Sequence, residues 1–141
     1  MENVLVPLDG SAQADYALEH ALEVFPGARL TLLTAIDPAS GFAAGGAPGT
    51  AEVLYESAQE QAEARLAAAR ERAEAAGATV TTEIETGRPA GVIVECAEKE
   101  GVDQVVMGSH GREGVSRLLL GSVAETVVRR SPVPVTVVRD P

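Results

Sequence analysis

The sequence predicts an α/β protein: a five-stranded parallel sheet with helices on both faces. Three observations predict it. Short apolar runs rich in valine, leucine and isoleucine alternate along the chain with segments of helical periodicity. Most of these runs are nearly continuous in apolar residues, as strands buried on both faces are. Glycine and proline punctuate the boundaries between them. Strand alternating with helix in this way leaves a parallel sheet with right-handed crossovers as the simplest topology.

Asn3 to Leu8 reads as the first strand, with Val4, Leu5, Val6 and Leu8 apolar and Pro7 near its end. Asp9-Gly10-Ser11 is a turn, and Ser11 suits a helix N-cap. Asp15 then sits in the first helical turn, where the macrodipole favours it. Ala17, Leu18, Ala21, Leu22 and Phe25 recur at helical spacing and form one buried face. Pro26-Gly27 stops that helix. Arg29 to Ile36 is the second strand, ended by Asp37-Pro38. Ser40 to Thr50 is rich in glycine and alanine and has no periodicity, so it is expected to be either a lid or a disordered connection.

Ala51 to Ala76 is a long helix. Val53, Leu54, Ala58, Ala62, Leu66, Ala69 and Ala73 trace its buried side, and its glutamates and arginines, Arg65 and Arg70 among them, form a solvated face. Thr79 to Thr86 alternates, with Val80, Thr82 and Ile84 on one side and Glu83 and Glu85 on the other. That pattern marks a half-exposed edge strand. Pro89 suits the first position of a third helix, whose apolar face is Val92, Ile93, Cys96 and Ala97. Cys96 on that face reads as a buried structural thiol. Gly101 ends the helix, and Val102 to Met107 is the fourth strand.

The chemistry-bearing stretch follows that strand: Met107-Gly108-Ser109-His110-Gly111-Arg112, then Gly121-Ser122-Val123-Ala124-Glu125. It reads as strand, glycine loop, helix start. Gly108 and Gly111 offer backbone angles that other residues avoid and let a ligand approach the main chain. Ser122 with Glu125 three residues on is a capping-box pattern. A helix start carries unpaired N–H groups and the positive end of the dipole, which suits a phosphate. Turning the chain is the competing explanation for a lone Gly-x-x-Gly. The stretch is neither a Walker A loop nor the dinucleotide fingerprint. Ser109 and Ser122 read as phosphate donors rather than nucleophiles, and Arg112 and Arg117 as local positive charge. His110 shapes the loop or approaches a phosphate. His20, late in the first helix, reads as a surface or packing residue. No spacing of His and Cys suggests a metal site. Asp9 lies at a strand end, where ligand crevices open. Bonding its own turn is the alternative role. In the last helix Val123, Val127 and Val128 are the expected buried side, with Arg129-Arg130 complementing the C-terminal dipole. Pro132 to Val138 is the fifth strand. It is very apolar, yet Pro132 and Pro134 favour an edge, and an apolar edge needs a cover.

The spacing Gly108-x-x-Gly111, nine residues, Gly121-Ser122 resembles the signature of the universal stress protein family, in its ATP-binding subgroup. Val4 to Ser11 and Ser131-Pro132-Val133-Pro134-Val135 resemble that family's first and last strands, so the resemblance spans essentially the whole chain. It implies strand order 3-2-1-4-5, an adenine nucleotide alpha-hydrolase-like variant of the Rossmann-like architecture. It also implies an adenine nucleotide site. Carried over position by position, that site comprises Pro7, Leu8, Asp9, Ala35, Met107, Gly108, Ser109, His110, Gly111, Arg112, Gly121, Ser122, Val123 and Ala124. ATP is the implied ligand, with Mg2+ bridging the phosphates. The resemblance further implies a homodimer through the last strand, with Val133, Val135 and Val137 at the contact.

Composition bounds the rest. At 141 residues the chain is expected to form a single domain with an adequate core. No apolar run reaches the roughly 20 residues of a membrane helix. The N-terminus does not read as a signal peptide, and Cys96 is the lone cysteine. These features lead us to expect a cytoplasmic protein without a membrane partner. The net charge of −10 argues against nucleic acid. Lys99 is the only lysine beside many arginines, which fits either a salt-adapted source or a GC-rich genome. A nucleotide must therefore be held by local fields, because salt screens distant carboxylates within about 8–10 Å. Three functions remain open: an ATP-binding regulatory homodimer, a slow ATPase or nucleotide-dependent switch, and a scaffold of the same fold without nucleotide. No residue reads as a dedicated catalytic base, which favours binding over turnover.

Overall fold

The computed structural model describes residues 2–39, 50–99, 101–110 and 120–139. The elements run β1 (Asn3–Pro7), α1 (Ala12–Val24), β2 (Arg29–Ile36), α2 (Thr50–Ala75), β3 (Thr79–Thr86), α3 (Pro89–Lys99), β4 (Gln104–Gly108), α4 (Ser122–Arg130) and β5 (Val135–Val138). The five strands form one parallel sheet in the order β3-β2-β1-β4-β5. This is the order that the family resemblance implies. The edge positions of β3 and β5 follow from it.

The apolar runs become strands because both faces of the sheet are covered. Val4, Val6, Leu30, Leu32 and Val106 pack beneath α1 and α2 with Ala17, Leu18, Ala21, Leu66 and Ala73. Leu5, Leu33, Val105 and Met107 point to the opposite face and pack with Val92, Ile93, Cys96, Ala97, Ala124 and Val127 of α3 and α4. Alternate residues of β1 and β4 thus feed two cores, which is why those strands show no polar alternation. Cys96 is a buried thiol, as its place on the apolar face suggests.

Several local expectations need correction. The last helix starts one residue earlier than a capping box requires: Gly121 is the N-cap, Ser122 is the first helical residue, and no side chain caps the end. Val128 is exposed, because α4 buries a narrow stripe through Ala124 and Val127. Val53 and Leu54 are exposed as well: the first turns of α2 extend past the core that Ala62, Leu66 and Ala73 fill. The fifth strand begins at Val135, since Pro132 and Pro134 have no N–H to give, although the Pro134 carbonyl accepts from the Val105 N–H. Ser11, by contrast, caps α1 as expected, its Oγ accepting from the Ala14 N–H at 3.1 Å. Most of the Ser40–Thr50 stretch lies outside the described residues.

Candidate functional site

The connection after β1 runs to α1 on one face of the sheet, and the connection after β4 leads to α4 on the other. The winding reverses between these two neighbouring strands, so a crevice opens at their carboxyl ends. Sequence-distant loops meet there because β1 and β4 pair directly, Val4 with Gln104 and Leu5 with Val105.

Pro7 closes β1 opposite Leu33 of β2. Leu8 is buried and tied on both sides. Its N–H donates to the Leu33 carbonyl, and its own carbonyl accepts from Thr34 Oγ1 at 2.9 Å. Ala35 follows at the end of β2, half-buried, opposite Glu85 of β3. Asp9 follows Leu8 along the chain, half-buried, with Oδ1 accepting from the Ser11 N–H at 2.9 Å. One carboxylate oxygen therefore does serve the turn, the alternative role that the sequence left open. Gly10 has φ +85°, which L side chains rarely adopt. The Arg65 guanidinium lies against it, with Nη2 2.9 Å from where a Cβ would stand.

Met107 is buried in the α3/α4 core. Gly108 ends β4, and its φ is not in the left-handed region. Its need for glycine is space, not angle. A Cβ there would stand 2.9 Å from Gln13 Cβ and 3.0 Å from the Gln13 carbonyl carbon, so the strand end presses on the first turn of α1. Ser109 and His110 follow, both buried. The Ser109 N–H donates to the Val138 carbonyl, and the Ser109 carbonyl accepts from the Gly121 N–H at 2.7 Å. The Ser109 hydroxyl donates to Gln13 Oε1 at 2.8 Å, and the His110 N–H donates to the same oxygen at 2.6 Å. These groups are thus engaged within the protein, which differs from the expectation of Ser109 as a phosphate donor. Gly111, Arg112 and Arg117 lie outside the described residues.

Gly121 brings α4 up to this loop. A Cβ on it would stand 3.0 Å from the Ser109 carbonyl oxygen and 3.2 Å from His110 Cα. The first turn of α4 therefore abuts the loop end, with Ser122 exposed, Val123 half-buried and Ala124 buried. The N–H groups of Ser122, Val123 and Ala124 precede the first intrahelical bond, which Glu125 makes to Gly121. With no side-chain cap, they and the positive dipole end make the anion-seeking part of the crevice.

Two residues here carry no sequence signal as site residues. Gln13 is an ordinary polar position in α1, and only the fold sets it under the glycine loop. Arg65 sits in a charge-rich helix where it reads as solvated decoration, yet it is half-buried and reaches the turn after β1. Among the described residues no group of three His, Cys, Asp or Glu side chains comes together as a metal cage. A separate open groove of about 430 Å³ lies between α2 and β3, lined in part by Glu63, Glu71 and Glu74. Its carboxylates disfavour an anionic ligand.

The model of the universal stress protein family matches residues 1–139. The chain belongs to that family. Among curated universal stress proteins, MJ0531 of Methanocaldococcus jannaschii is 36% identical over 99% of this chain and 83% of its own length. A relative described as a putative universal stress protein in Staphylococcus haemolyticus is 35% identical over 98% of this chain and 84% of its own length. The solved structure of MJ0577, also from Methanocaldococcus jannaschii, superposes with a TM-score of 0.88 at 32% identity, covering 99% of this chain and 96% of that one. A universal stress protein crystallised in complex with cAMP matches with a TM-score of 0.70 at 30% identity, covering 98% and 96%. Among the described residues, no helix of this universal stress protein is long and apolar enough to cross a membrane.

Proposed function

We propose that this universal stress protein binds an adenine nucleotide, ATP, in the crevice between the β1 and β4 loops, and acts as a regulatory homodimer. The uncapped first turn of α4, set against the β4 loop by Gly121, carries the reading. Three N–H groups and a dipole end converge where a phosphate needs them, on a surface whose net charge otherwise repels it. The nucleoside end falls to Leu8, Asp9 and Ala35 at the ends of β1 and β2. Gly108 and Gly121 keep the main chain close on the other side. Gly111 and Arg112 complete the set by their place in the sequence. The cAMP-bound relative supports the ligand class. Mg2+, when it enters, rides on the phosphates rather than on a protein cage. The dimer pairs through β5 and the residues just before it, where half-buried Val133, Val135 and Val137 flank the open edge of the sheet.

The test is mass spectrometry of small molecules released from purified protein, followed by calorimetric titration with ATP, ADP, AMP and cAMP, with and without Mg2+. Co-purified or tightly bound ATP supports the proposal. ADP alone points to slow turnover. An empty pocket in saturating Mg-ATP overturns the proposal in favour of a scaffold.

A further inference from the structure

The hydrogen bonds around His110 fix which ring nitrogen carries its proton. The His110 backbone N–H donates to the Gln13 side chain at 2.6 Å, so the receiving atom must be the amide oxygen and not the amide nitrogen. The Ser109 hydroxyl stands 2.8 Å from that same oxygen. An amide oxygen has no hydrogen to give, so the single hydroxyl proton of Ser109 points to Gln13. Ser109 Oγ is then an acceptor toward His110 Nδ1, 3.1 Å away. In the neutral ring the proton therefore sits on Nδ1, and Nε2 presents a bare lone pair. That Nε2 is buried and has no partner among the described residues, in a side chain only 8% exposed. Buried polar atoms without partners are rare, and each one calls for an explanation.

The imidazole meets the start of α4 through Cδ2. Cδ2, bonded to Nε2, is 3.6 Å from where a Cβ on Gly121 would lie. That helix end is uncapped. A bare lone pair cannot sit beside a phosphate oxygen, which is itself an acceptor. Contact between them requires one proton on the line joining them. The proton comes from solvent onto Nε2 or arrives on the phosphate as P–OH.

We propose that His110 couples anion binding to a proton: phosphate docks at the first turn of α4 with net uptake of one proton, held between Nε2 and a phosphate oxygen. Nδ1–H stays on Ser109 throughout. No bond to phosphorus changes; water or its buffer supplies the proton. The inference rests on the nucleotide reading above and adds a regulation to it, because occupancy falls as pH rises. The charged groups at the ends of α1, α4 and β5 that meet the Ser109–His110 loop are Asp9 before α1, Asp15 in its first turn, Glu125 in the first turn of α4 and Arg139 after β5. Among the described residues none makes an ion pair with the imidazole.

Calorimetric titration of ATP at one mildly alkaline pH, in buffers of different ionisation enthalpy, counts the protons exchanged. The wild type is expected to take up about one per nucleotide. His110→Gln offers a permanent donor in place of a titrating ring, so it is expected to bind with uptake near zero. Nitrogen NMR of histidine-labelled wild type needs no variant. Ligand-free His110 should show N–H character at Nδ1 and a lone pair at Nε2, and ATP or pyrophosphate should convert Nε2 to N–H character. His20 is the internal control. Binding without proton uptake and with Nε2 unmoved overturns this inference alone, as does undiminished uptake in His110→Gln. Failure of ATP to bind overturns the nucleotide reading and this inference with it.

Discussion

Gln13 and the glycines it touches show how single positions set the geometry of the crevice. Gln13 Oε1 is the shared acceptor for the Ser109 hydroxyl and the His110 N–H. Gln13→Leu leaves both donors buried without a partner, which costs about 1–3 kcal/mol. The urea midpoint should fall while the slope stays unchanged, and an unaltered midpoint would count against this role. Gly121 is a second case. Its sequence context suggests that Gly121→Val blocks a phosphate and leaves the fold intact. The structure revises the second half of that expectation, since even a Cβ meets the backbone of Ser109 and His110. Gly121→Ala should therefore lower stability by about 1–3 kcal/mol through overpacking, even without ligand. Thermal unfolding of the ligand-free variant measures it, and wild-type stability there would mean that the two backbones separate freely.

At the scale of elements, the two edge strands differ. β5 pairs on one side with β4 and is open on the other. An apolar open edge invites pairing with a second strand. A twofold axis beside it satisfies both copies at once. Val135→Asp should weaken the proposed homodimer at least tenfold, because a carboxylate would be buried at each contact. Sedimentation equilibrium across a dilution series reads the shift, and an unchanged dissociation constant removes β5 from the interface. The opposite edge strand, β3, is held differently. The Arg70 Nη2 donates to the Val80 carbonyl at 2.9 Å, so a residue of the charged face of α2 covers part of that edge.

At the scale of the whole molecule, the net charge of −10 sets a long-range repulsion against a short-range attraction. The attraction acts over the last few ångströms, at the α4 first turn. The repulsion reaches across a Debye length, about 10 Å at 0.1 M salt. Moderate salt therefore screens the unfavourable term more than the favourable one. ATP affinity should rise as ionic strength increases from about 10 to 100 mM. Calorimetry over that range checks it. A steady loss of affinity would show that exposed cations, not backbone amides, hold the phosphates. Bound ATP at about one hundred times its dissociation constant should add about 2.7 kcal/mol to stability.

The strands β1, β2 and β4, the helix α1 and the alternating edge strand β3 were legible in the sequence. Period, punctuation and caps are local properties, and a residue carries them wherever it sits. The glycine spacing likewise marked the loop after β4, and Asp9 at a strand end marked the loop after β1. What the sequence could not show was why those glycines are there. Gly108 and Gly121 give way to backbone from α1 and from the β4 loop, contacts across about 95 and 12 residues of chain. Gln13 and Arg65 stayed hidden for the same reason: a polar side chain on a helix looks solvated until something is packed over it. The start of α4, and the exposure of Val53 and Val128, also depended on where neighbouring elements end. Sequence by itself determined the elements, the family and the position of the crevice, because those rest on near-neighbour chemistry. Only tertiary structure decided which donors are already engaged and which nitrogen of His110 is left bare, because hydrogen-bond partners far apart in the chain are chosen by packing.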